Sequence, residues 1–366
     1  MQNNTSKATS RKNVPSRTEI VTAISNDTCL RAKELQGGHV IKKGTRVVQY
    51  AGGYTNVFPF IDKNGKKVAV RCWCADIDRA QERCYHISEF LKKDSSQYFV
   101  EFRYVPDALL IAGSLHPVVI MDWVDGLTLK RYINEKGPSK ELFLDLAKKF
   151  LEMVKYLHSK NIAHGDLQHG NIMVRPDGSL VLIDYDSMYI NTLKGFSDVV
   201  KGLPGYQHPA REKTKYLSPK LDYFSELVIY LSFLIFAEKP NLWEEYTDTE
   251  DLLFSNEDFR HQNESRLFKE FQNSNNSTIK QLMKQLVQAL EKNDIEKLYC
   301  LEEYLGATKS SVITTPKTTA VTTRIRVRKP DTKAILDKLD ILMAVVEIHS
   351  VHPNIDYSSI LNKFNH

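Results

Sequence analysis

Cysteine is scarce in this chain, with five in 366 residues, at positions 29, 72, 74, 84 and 300. An odd, scattered set makes no disulfide framework and favours a reducing compartment, so a cytoplasmic location is expected. Cys72-Trp73-Cys74 lacks a second matching pair, which argues against a zinc site and for packing in or beside a strand. A long hydrophobic run is missing too. The longest, Leu227 to Ala237, is broken by Ser232 and falls short of the about 20 residues that cross a bilayer, so no membrane span is expected and a buried central helix is. The N-terminus is polar and basic, without the apolar stretch of a leader. A strong excess of one charge is also absent. The net charge is +5, with basic residues gathered between Lys7 and Arg17 and again over Arg324–Lys329. Neither cluster has interleaved aromatics or a recognition fold beside it, so solvated tails are expected and nucleic acid is not an expected partner. What is present, 42 % apolar and 26 % charged residues, suits a globular protein large enough for two lobes plus tails.

Residues 1–17 read as a disordered basic tail and 18–45 as a lead-in. Strands follow over 47–50, 57–61 and 67–71, with turns at Gly52-Gly53 and Asn64-Gly65; Asn-Gly between apolar runs is a hairpin signal. The spacing predicts a helix over 76–92 with Ile77, Ala80, Cys84, Ile87 and Leu91 on one face, then strands near 98–104 and 117–122. Helices take over next. Ser139 caps one whose Leu142, Leu146, Phe150, Val154 and Leu157 keep helical spacing, another covers 221–237, and more fill 240–305. A Thr/Ser/Lys-rich linker (306–332) precedes an extension (333–366) opening on an amphipathic helix over 333–349. Its stripe of Ile335, Leu336, Leu339, Leu342, Met343 and Val346 needs a partner surface, either on this chain's own helical lobe or on another protein or second copy. The expected fold class is α+β. A small antiparallel sheet lobe with one helix (46–122) precedes a larger, mainly helical lobe (126–305).

Residues 164–184 carry the chemistry. His164-Gly165-Asp166 is followed five positions later by Asn171, and Asp184 arrives after a hairpin made of Asn171–Val174, a Pro176-Asp177-Gly178 turn and Leu180–Ile183. Phosphoryl transfer needs this spacing: one carboxylate to accept a hydroxyl proton, and nearby an amide oxygen and a second carboxylate to hold magnesium over ATP phosphates.

With these motifs the chain resembles the protein kinase superfamily over roughly residues 45–305. Val68-Ala69-Val70-Arg71 resembles the Val-Ala-Ile-Lys strand, Ile120–Gly126 the hinge between lobes, Gly205–Arg211 the end of an activation segment, and Asp222-Tyr-Phe-Ser225 the opening of the central helix. The pattern is most similar to a prokaryotic branch with His-Gly-Asp-Leu-Gln-His-Gly-Asn in the loop and arginine on the third strand. The resemblance implies a bilobal kinase-like fold, ATP and Mg2+ as cofactors, Asp166 as catalytic base, and Asn171 and Asp184 as metal ligands. It also implies Met121 behind the adenine, backbone groups of Asp122 and Val124 on its edge, and Val57 and Ala69 over its face. Ala69 and Arg71, two apart, share one side of their strand, which places Arg71 among the phosphates with Gly52 and Gly53.

The departures are specific. Only Gly52 survives of the Gly-x-Gly-x-x-Gly loop, arginine replaces lysine at position 71, Gln168 replaces the loop lysine, and Ala210 replaces the glutamate of Ala-Pro-Glu. Gly165 stands where many regulated kinases have arginine. Glu82 and Glu89 are the candidates for the helix glutamate that would pair with Arg71, although both lie away from the Ile77-Cys84-Leu91 face. His164 is read as a loop-packing residue and Asp186 as a turn residue in the glycine slot of Asp-Phe-Gly. The expected function is an ATP- and magnesium-dependent protein kinase acting on Ser/Thr. The alternatives are a pseudokinase working as an ATP-binding or docking scaffold, and a small-molecule kinase, which shares the His-Gly-Asp loop.

Overall fold

The computed structural model describes residues 14–310. Helix α1 (Arg17–Ile24) opens on a capping box in which Ser16 Oγ accepts from the Glu19 amide and Glu19 accepts from the Ser16 amide at 2.8 Å. The chain is therefore already helical at Arg17, where a tail was expected. Short strands β1 (His39–Val40), β2 (Lys42–Lys43), β3 (Arg46–Val47) and β4 (Tyr50–Ala51) lead into β5 (Thr55–Ile61) and β6 (Lys67–Trp73). The strand expected over 47–50 is split: β3 pairs with β2, whereas β4 pairs with β5. After helix α2 (Ala80–Leu91), strands β7 (Phe102–Ile111) and β8 (Ser114–Asp122) complete an antiparallel sheet in the order β1-β5-β6-β8-β7.

Two of these boundaries differ from the pattern, for local backbone reasons. Helix α2 starts four residues late because Arg79 has φ 51°, a left-handed value that a helix interior excludes. The β7–β8 hairpin is longer than expected. Its Ala112-Gly113 turn has positive φ at both positions, as a tight hairpin requires, and a register shift between Val105 and Leu109 masks the alternation.

The sheet has two distinct faces. Phe58, Phe60, Val68, Val70 and Cys72 bury against Ile20, Ile24 and Leu35, so the 18–45 segment is the sheet's cover and not a loose lead-in. Each such side chain contributes roughly 1.5–3 kcal/mol by leaving water. Ala69 and Arg71, offset by one residue, line a cleft on the other face.

The second lobe holds β9 (Leu127–Thr128), α3 (Leu129–Lys136), α4 (Lys140–Ser159), the hairpin β10 (Ile172–Val174) and β11 (Leu180–Leu182), and α5 (Tyr223–Glu238). Helices α6 (Trp243–Tyr246), α7 (Asn256–Arg260), α8 (Arg266–Phe271), α9 (Ser277–Leu290) and α10 (Leu301–Ser310) follow. Ser139 caps α4 as expected, accepting from the Leu142 amide at 3.2 Å. Helix α5 is buried nearly all round against α4, with Phe143 stacked on Phe236 and Phe150 edge-on to Phe233. Helix α10 runs to Ser310, past the expected linker boundary at 306. The rest of the linker and the 333–349 helix lie outside the described residues.

One polar cluster ties three helices together. His158 on α4 meets Glu226 of α5 at 2.9 Å and Glu302 of α10 at 2.9 Å. Burial opposes the imidazolium, but the Glu226 and then the Glu302 carboxylates hold its proton, raising the pKa to about 9. Burial raises Glu226 itself to about 7. A group whose folded pKa lies above its unfolded value stabilises fully below the unfolded pKa and loses that contribution as pH rises through the folded one. Glu226 therefore contributes a fall in melting temperature as pH rises from about 4.5 to 7 and His158 one from about 6.5 to 9, and His158→Gln should flatten the upper fall. A wild-type profile level across this window would contradict the assignment.

Candidate active site

The loop between α4 and β10 is built on a buried carboxylate. Asp222, at the start of α5, accepts from the backbone amides of His164 and, at 2.8 Å, Gly165. Gly165 has φ +79°, and a Cβ there would lie 2.1 Å from the Ser187 carbonyl oxygen, so the backbone itself excludes the arginine common at this position. His164 Nε2 donates to the Ile183 carbonyl at 2.9 Å while its Nδ1 accepts from the Asp166 amide at 3.3 Å. Both ring nitrogens are committed, so His164 is a loop-packing residue and not a base.

Asp166 is held on both carboxylate oxygens. Oδ2 accepts from Asn171 Nδ2 at 2.9 Å, and Oδ1 accepts from the Leu203 amide at 3.1 Å. Gly202 makes that approach possible, since a Cβ there would sit 2.7 Å from Asp166 Oδ1. Asn171 Nδ2 also donates to the Asp166 carbonyl at 2.8 Å. Both neighbours are acceptors, which fixes the amide's orientation and leaves its oxygen as the group offered to a cation. Asp184 sits at φ +65°, a value aspartate tolerates better than most residues, with its side chain 51 % exposed.

A cleft of about 550 Å³ between the sheet and the helical lobe collects most of the expected residues. Gly52, Val57, Ala69, Arg71, Met121, Asp122, Val124, Asn171 and Asp184 all line it. Asp166 joins the group through Asn171. Gly53 does not line the cleft: the Gly52 amide donates to the Thr55 carbonyl at 2.8 Å, closing a short turn that leaves Gly53 exposed. The Gly52 carbonyl in turn accepts from Arg17 of α1. The Asp122 amide donates to the Glu101 carbonyl at 3.1 Å, so only its carbonyl remains for a bound base. Sequence reasoning missed Thr128, Arg131, Met173 and Ile183 in the lining, and also Tyr50 and Trp123, whose rings lie 6.2 Å apart.

The electrostatic pairing differs most from expectation. Arg71, 3 % exposed, pairs with Asp184 at 3.4 Å and with Asp186. Glu82 is bound by Arg79 and Glu89 by Lys92, on the outer face of α2, so neither serves as the helix partner of Arg71. Their position on the helical wheel was the signal. Asp186 is an ion-pair partner and not a bare turn residue. Gln168 folds back to accept from the Gly170 amide at 2.6 Å. Arg211, fully buried, replaces the anchor lost at Ala210. Its guanidinium pairs with Asp198 at 3.1 Å and donates to the Gly165 carbonyl and to Gln207. Lys201 adds a second cation to Asp198 at 3.0 Å.

Comparison with known proteins bears on the family. A family model described as protein kinase domain matches residues 51–305. The chain is 23 % identical over 198 residues to "Serine/threonine-protein kinase STE20" of Debaryomyces hansenii, covering 54 % of this chain and 18 % of that protein. It is 35 % identical over 97 residues to "Serine/threonine-protein kinase PknA" of Nostoc sp., covering 24 % and 17 % respectively. The chain thus spans less than a fifth of the length of these relatives.

Proposed function

The chain belongs to the protein kinase family, with its bilobal α+β fold, and from that premise we propose an ATP- and magnesium-dependent kinase that phosphorylates Ser/Thr side chains of proteins. The single observation that carries the reading is the Asp166–Asn171–Asp184 arrangement. The Asn171 amide donors are spent on Asp166, which leaves its oxygen as an acceptor in the cleft that the half-exposed Asp184 carboxylate also lines. Two oxygen donors of this kind suit a small, hard cation that keeps several of its waters.

Asn171 and Asp184 would hold magnesium, Arg71 the phosphates, Val57 and Ala69 the adenine face, and the Asp122 carbonyl and Val124 backbone its edge. Magnesium held there would supply positive charge against the charge developing on the transferred group. Asp166 takes the acceptor hydroxyl's proton, with Asn171 and the Leu203 amide fixing its carboxylate so that little reorganisation is needed. The Leu203 amide, just before the Gly205–Arg211 stretch that resembles the end of an activation segment, donates to Asp166 Oδ1. That contact favours a protein acceptor over a small molecule. Gln168, turned onto Gly170, adds no cation at the γ-phosphate, so a modest turnover is expected.

Incubation with γ-labelled ATP and magnesium, followed by phosphoamino-acid analysis, tests the acceptor class. Label on Ser or Thr is expected; label confined to added small alcohols or amino-sugars would replace the reading. Activation-segment phosphorylation is not expected to be needed. Gly165 offers no cation for a phosphate, and the Asp198 carboxylate already occupies Arg211. Phosphatase-treated protein should keep its full activity, and a large loss restored by rephosphorylation would contradict this.

A further inference from the structure

A buried guanidinium needs an anion, because an unpaired charge in such a place costs several kcal/mol. Helix α2 supplies none to Arg71. Its glutamates are bound on the outer face, Glu82 by Arg79 and Glu89 by Lys92. The anions come instead from the Asp184-Tyr185-Asp186 turn, one to each arm of the fork. Nη1 faces Asp184 and Nη2 faces Asp186. The turn is rigid. The Tyr185 ring is buried between Phe99 and Phe102, and its hydroxyl donates to the Leu182 carbonyl at 2.7 Å while accepting from the Val100 amide at 3.0 Å. Asp186 is fixed from a second side, since its carbonyl accepts from Arg83 Nη1 at 3.0 Å.

We propose that Asp186 is the positioning residue of Arg71, so that the phosphate-facing cation is oriented by the metal-binding turn and not by a glutamate on helix α2. The proposal rests on the nucleotide-binding reading above. The two arms then divide their work. Nη2 is held on Asp186, and Nη1, at the longer 3.4 Å from Asp184, is the arm that would be available to a phosphate. The guanidinium carries its donors on separate nitrogens in a fixed fork, a geometry suited to keeping Asp186 on one arm while the other is presented to a phosphate.

The test is calorimetric binding of MgADP and of adenosine to the full chain, for wild type, Asp186→Asn, Arg71→Ala and the double variant. Arg71→Ala should weaken MgADP about 10- to 150-fold, as for loss of a charge-assisted hydrogen bond, with adenosine unchanged. Asp186→Asn should weaken MgADP about tenfold, also with adenosine unchanged, and should add nothing on the Arg71→Ala background. Unaltered adenosine affinity shows that the cleft is folded. A parallel loss of adenosine, an additive double variant or an unchanged MgADP affinity would each overturn the role of Asp186. Wild type binding neither ligand would overturn the nucleotide reading first.

Discussion

Asp184→Asn should lower phosphoryl transfer about a thousandfold or more while leaving the fold intact. The substitution removes one charge and almost no volume, and asparagine accepts the φ of +65° found at this position as readily as aspartate does. What is lost is a carboxylate lining the cleft, and with it the several kcal/mol of charge stabilisation that a metal held there would supply in the transition state. Arg71 keeps its second partner, Asp186, so the buried guanidinium does not become unpaired. The melting temperature should therefore stay within a few degrees of wild type. Magnesium-dependent ATP binding should weaken, whereas adenosine binding should persist through Val57, Ala69 and the hinge. Undiminished turnover would remove Asp184 from its assigned role.

Arg211→Ala should be the most destabilising single change near the site. Arg211 is 1 % exposed and is the common point of four attachments: the Asp198 carboxylate, the Gly165 and Val200 carbonyls and Gln207. Removing one partner of a buried pair leaves an uncompensated charge and costs about 3–5 kcal/mol. Lys201 remains on Asp198 and places the expected loss at the lower end of that range. Activity should fall further than stability, because Gly165 adjoins Asp166 and the Leu203 amide completes its carboxylate's hydrogen bonds. Denaturant unfolding followed beside a transfer assay measures both. A variant as stable and active as wild type would show that the segment is held by other means.

Legibility in the sequence followed the range of the interactions. The catalytic loop, the Asn171–Ile183 hairpin and the cleft-facing parity of Ala69 and Arg71 were readable, since each depends on spacing within one short segment. The sheet cover was not. Residues 18–45 look irregular in sequence, and only the apolar outer face of β5 and β6 gives Ile20, Ile24 and Leu35 somewhere to bury. The partner of Arg71 was also hidden. A glutamate on α2 is sought by analogy, yet the pairing joins residues 71 and 186 across the cleft, and no local period reports it. Arg211 illustrates the same limit. Arg211 opens a charged run, Arg211-Glu212-Lys213, in which nothing local sets it apart, and its burial makes sense only when Asp198, Gln207 and Gly165 converge on it.

The most direct measurement sets transfer against binding in one preparation. Wild type and Asp166→Ala are compared for label moved from γ-labelled ATP to protein, and for MgATP affinity by calorimetry. Wild type should label Ser or Thr. Asp166→Ala should bind MgATP with unchanged affinity and transfer about 10²- to 10⁴-fold more slowly, the contribution of a positioned general base. Wild type that binds MgATP yet transfers no label, or an Asp166→Ala variant that transfers as fast as wild type, would contradict the account and favour a nucleotide-binding scaffold.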